Sequence, residues 1–134
     1  MLHRDYLLEI IARFVETVMA SLRIAVLDGN VEAAKEAEDC VAALLDLDPN
    51  TAMNLSPDSL VTMMLLSGMG DALAGYVAYV LDKVGDAYDN AGDTQKAALR
   101  WDQAQAVAGS FNCDPNVIPE EFAALDAELA AAEA

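Results

Sequence analysis

Residues 78–111 read AYVLDKVGDAYDNAGDTQKAALRWDQAQAVAGSF. Before the central Asn90-Ala91-Gly92-Asp93, Leu73, Val77, Val80, Val84 and Tyr88 recur at steps of three and four. After it, Ala97, Trp101, Ala104, Ala108 and Phe111 keep the same rhythm. Both stripes have the period of an amphipathic helix. Gly92 suits the left-handed residue that ends a helix, and Asp93 suits the cap of the next. The segment from 71 to 111 is therefore an antiparallel helical hairpin, and the fold class it sets is all-α.

The same rhythm extends to both ends of the chain. Tyr6, Ile10, Phe14, Val18 and Leu22 mark a first helix over about 4–27, flanked by Leu7, Ile11, Val15, Met19 and Val26. That stripe is wide for a terminal helix, which predicts burial against two neighbours, one of them in a second copy. Asp28-Gly29-Asn30 turns the chain into a second helix, with Ala34, Ala37, Val41, Leu44 and Leu45 inward. The two form an N-terminal hairpin over about 4–46. Residues 46–55 read as an irregular connection. Ser56-Pro57-Asp58 then opens a short helix, with Ser56 as cap, Pro57 in the first turn and Leu55 stapled to Leu60. Pro119-Glu120-Glu121 starts a C-terminal helix over about 119–132, on a narrow stripe of Phe122, Leu125 and Leu129. About six helices in one domain, 1–134, result. β-branched residues never gather into alternating runs, so no strand is expected.

Residues 60–81 approach the length and apolarity of a membrane span. Asp71 interrupts them, and Ser67-Gly68-Met69-Gly70 reads as a break, so two buried helices meeting at a turn are expected. The chain opens on an amphipathic pattern rather than a secretory signal. Its 7 basic and 23 acidic residues give a net charge of −16. Such a field disfavours nucleic acid and anionic membrane surfaces and attracts basic partners. Cys40 and Cys113 stand far apart without metal-ligand spacing, as reduced thiols of a cytoplasmic protein do.

Gly85, Tyr88, Gly92-Asp93, Ala97, Trp101 and Ala104 make residues 78–111 resemble a tetratricopeptide repeat, a helix-turn-helix unit of about 34 residues. The resemblance implies that small Gly85 and Ala97 let two helices approach while Tyr88 and Trp101 fill the wedge. Leu81 stands where the repeat has its early Trp, and Gly109 where it closes on Pro. The first hairpin shares only Gly29-Asn30 and Ala34 with the pattern. The whole chain also resembles an uncharacterised family of short bacterial helical proteins. Arg4-Asp5-Tyr6 followed by an apolar helix, and the segment Leu55 to Leu60, carry that likeness. It implies a bacterial cytosolic helical protein and no particular activity.

Catalytic and metal-binding patterns are missing from the sequence. His3 is the sole histidine, at the chain terminus, where a solvated side chain is the usual outcome. No Cys/His cluster or calcium loop occurs, Gly68-Met69-Gly70 lacks the lysine of a phosphate loop, and serine catalysis lacks a histidine. No cofactor and no metal are expected. Asp82, Asp86, Asp89 and Asp93 follow i, i+4, i+7, i+11 along one face of a helix, ordinarily a solvated acidic face. In the repeat family, residues of this phase contact bound peptides. Asp82, Asp86 and Asp89, with Tyr79 beside them as a cation–π contact, are thus the candidate partner face for a basic peptide. Tyr88 matches a packing position. No polar cluster is read on the inner faces, which argues against a ligand-binding or enzymatic bundle. The expected protein is a non-enzymatic interaction module, homodimeric, with a purely structural subunit of a homo-oligomer, or a small helical ligand-binding protein, as the alternatives.

Overall fold

A computed structural model describes residues 2–68, 70–114 and 116–133, apart from the side chains of 2–5 and 133. The readings of the His3 side chain, Met69 and Pro115 lie outside the described residues. Among the described residues there are seven α-helices: α1 (Leu2–Asp28), α2 (Val31–Leu44), α3 (Pro49–Met53), α4 (Pro57–Ser67), α5 (Gly70–Asn90), α6 (Thr94–Ser110) and α7 (Ala123–Glu133). A 3₁₀ turn, Glu120–Phe122, leads into α7. No strand occurs among the described residues.

The caps fall where the sequence places them. Asn30 accepts from the Ala33 amide at 3.0 Å, Ser56 from Ser59 at 3.2 Å and Asp93 from Lys96 at 3.1 Å. Gly68 ends α4 with φ +74°, a left-handed conformation that favours glycine and separates α4 from α5. The additional helix, α3, lies in the stretch read as irregular. Asp48 accepts from the Thr51 amide and Pro49 opens the helix, the same combination that starts α4. Its brevity hid it.

The helices α1 and α2 form one antiparallel hairpin, α5 and α6 the other, and α5 lies against both helices of the first. α4 covers α6, and α7 packs on α1. This arrangement corrects the reading of the first helix. Its wide stripe, including Phe14, Val18, Leu22 and Val26, is buried against α2, α5 and α7 of the same chain. No second copy is needed to cover these four, while Ile10 of the same stripe is half-buried. Tyr6, Leu8, Ile24 and Leu27 remain exposed.

The second hairpin closes where a side chain is missing. A Cβ on Gly85 would sit 2.5 Å from Cδ1 of Trp101, so only glycine lets the indole lie across α5. Trp101 Nε1 then donates to the Asp82 carbonyl at 3.1 Å and to Asp86 at 3.0 Å. Tyr88 and Ala97 are both buried, with the Tyr88 hydroxyl turned to Glu38 of α2. Because the indole is only partly buried, Trp101→Ala is expected to cost about 3 kcal/mol, the low end for an aromatic truncation. Urea denaturation measures it, and an unchanged midpoint would remove the wedge role.

Candidate functional site

Tyr79, Asp82, Asp86 and Asp89 lie on α5, and the structure gives them different surroundings. Asp89 is exposed. Asp82 keeps a half-exposed side chain, and burial of the rest raises its carboxyl above the usual range. Asp86 holds the Trp101 indole. Lys83 stands among them, 4.0 Å from Asp82, 3.7 Å from Asp86 and 3.6 Å from Asp126 of α7.

Tyr79 is not the open contact expected of it. It is buried, its ring stacked on Phe122 at 4.8 Å, and Lys83 Nζ lies 5.6 Å from the ring centre. Its hydroxyl donates to Asp126 at 3.1 Å. Burial, then the Asp126 charge, push this phenol strongly up, so it stays protonated. The Tyr79 end of the face that the repeat resemblance assigns to a ligand is thus covered by the chain's own C-terminal segment.

That segment docks through an apolar ridge with polar flanks. Phe122, Leu125 and Leu129 are fully buried, and the Tyr76 ring meets Phe122 edge-on at 6.3 Å. Tyr76 donates to Glu121 at 2.6 Å, and Arg23 of α1 pairs with Glu128 at 2.7 Å. The α1–α5 side therefore supplies the donors, Arg23, Tyr76, Tyr79 and Lys83. The docked segment supplies the carboxylates.

A second feature contradicts the expectation that the inner faces carry no polar cluster. Glu38 of α2 and Arg100 of α6 form a buried ion pair, with Arg100 Nε donating at 2.6 Å. Tyr88 donates to the same carboxylate at 2.9 Å. Arg100 Nη1 also donates to the Met53 carbonyl at 2.8 Å and to Gln103 Oε1 at 3.0 Å. Gln103 in turn donates to the carbonyls of Met53 and Leu55. The network ties the connecting segment around α3 to both hairpins. Above it opens a groove of about 390 Å³, edged by Lys35, Asn50 and Lys96. Every buried polar side-chain atom among the described residues has a partner, so the network reads as a structural tie.

The sequence did carry a signal for this cluster. Glu38 follows Ala34 by four residues and Arg100 follows Ala97 by three, so each charge sits in phase with an apolar stripe. Cys40 and Cys113 are free and half-buried. Burial raises both thiols, helped by Asp39 and Glu36 at Cys40 and by Asp71 at Cys113, which keeps them protonated. Among the described residues no group of His, Cys, Asp or Glu is arranged to hold a metal ion, and no helix is long and apolar enough to cross a membrane. No family model, curated protein or solved structure matches the chain.

Proposed function

We propose that this protein is a non-enzymatic, cytoplasmic protein–protein interaction module of tetratricopeptide type. The observation that carries the reading is the α1–α5 face, formed by the leading helices of two stacked hairpins, which already receives an amphipathic helical segment. Recognition of a helix laid into an apolar groove is a recurrent mode of partner binding. Beside the docked segment, Asp82 and Asp89 of the acidic face stay accessible. In a chain of net charge −16, that strip is suited to a Lys- or Arg-containing segment of a partner.

Each exposed charge contact contributes only about 0–1 kcal/mol. Asp82→Asn with Asp89→Asn is therefore expected to weaken binding of a basic peptide by about two- to tenfold. Asp86 is left intact in this test because it holds Trp101. Fluorescence anisotropy at several salt concentrations measures the effect, and the wild type should lose affinity as salt rises. Equal binding by the variant, or preference for acidic peptides on this strip, would refute the basic-partner assignment.

A further inference from the structure

Among the described residues, the C-terminal segment joins the core through only three side chains, Phe122, Leu125 and Leu129. α7 has eleven residues, AALDAELAAAE. An isolated helix of that length is marginal in water, so it is ordered chiefly by what it docks against. It packs on α1 alone among the helices with extensive contacts, and its first turn reaches α5 through Asp126. Residues 111–119 join it to α6; Asn112, Asn116 and Val117 in that link are exposed, while Phe111, Cys113 and Ile118 are half-buried against the core. Extended, such a link reaches about 30 Å.

The contacts also define a code. The docked face places Phe122, Leu125 and Leu129 at i, i+3 and i+7, with Asp126 and Glu128 on its flanks. The receiving face answers with the Tyr79 ring, Lys83 and Arg23. Every copy of the chain carries both halves, so any second copy presents a matched occupant.

We propose that the α1–α5 face is a docking groove for an acidic amphipathic helix, and that its exchangeable occupant is the C-terminal segment of a second copy of this chain. Reciprocal exchange gives a closed two-fold dimer with the contacts of the C-terminal segment remade between copies. The inference rests on the interaction-module reading and adds to it the chemistry of one occupant. In the wild type the tether keeps the segment at an effective concentration in the millimolar range, so the closed monomer prevails at protein concentrations below that.

Full-length variants with exchanged charge expose it. One variant carries Arg23→Glu with Lys83→Glu, the other Asp126→Lys with Glu128→Lys. Alone, each sets like charges across its own groove and loosens its own tail. Mixed, each groove meets a tail of opposite charge. Light scattering should read monomers for each variant alone and a dimer for the equimolar mixture, with association about tenfold or more tighter than self-association. All four substitutions on one chain should return a monomer indifferent to either variant.

Lys83→Glu crowds acidic side chains on α5, so a second arm uses only Arg23→Glu and Glu128→Lys, both on exposed side chains. Circular dichroism verifies helicity in each. Helical variants that stay monomeric when mixed, in both arms, would overturn the proposal. The basic-peptide assay at Asp82 and Asp89 is read separately, so failure there leaves this result standing, and the reverse.

Discussion

Glu38→Ala is expected to destabilise the protein by about 3–5 kcal/mol, the usual result of leaving one member of a buried ion pair without its counter-charge. Arg100 is 4 % exposed and cannot turn to water without opening the α3 segment, to whose Met53 carbonyl it donates. The Tyr88 hydroxyl loses its acceptor in the same step. Replacing the three together, with Glu38→Leu, Arg100→Met and Tyr88→Phe, should recover only part of that loss, because apolar groups of similar size need no partner but buried Gln103 Oε1 loses its Arg100 donor. Urea denaturation of the single and triple variants provides the comparison. A loss below about 1 kcal/mol for Glu38→Ala would place Arg100 in contact with water and remove the structural tie.

Phe122→Ala is expected to have an effect of the same order, about 3–5 kcal/mol, but in a different place. The ring is fully buried between Tyr76 and Tyr79, and its removal takes away the anchor of the C-terminal segment. If that segment is a separable unit, hydrogen exchange will show lost protection at Leu125 and Leu129 while Val80 and Val84 keep theirs. Uniform loss across α5 and α7 would mean that the segment unfolds only with the rest, and the exchange between copies would lose its basis.

The two variants divide what the sequence makes legible from what it does not. Helices and their starts are local, and Asn30, Ser56 and Asp93 announce three of them by the hydrogen bonds a cap makes. The Gly85–Trp101 contact is legible for the same reason, since small and large residues alternate at fixed spacing within one hairpin. Glu38 and Arg100 are 62 residues apart, and their phase alone marks them as inward without saying what each meets. The stripe of Phe122, Leu125 and Leu129 likewise announces a buried face but not the surface that buries it. That surface changes the meaning of Tyr79, which pattern alone places beside an open acidic strip and which the fold covers with Phe122.

The chain meets its surplus of carboxylates with uncharged aromatic donors as well as with its few cations. Tyr76 serves Glu121, Tyr79 serves Asp126, Tyr88 serves Glu38 and the Trp101 indole serves Asp86. Ions in solution weaken contacts between exposed full charges, but these contacts have a neutral member, so added electrolyte has much less to act on. Alkali is the opposite case. Burial, then the bond to Glu121, push the Tyr76 phenol up to about 12, and Tyr79 and Tyr88 are raised as well. A phenol whose folded value exceeds its unfolded value contributes fully below the unfolded one, near 10, and its contribution is lost as pH climbs through the folded one. Added salt should therefore leave these four contacts largely intact, whereas in strong base ionised phenols would turn three of them into repulsions.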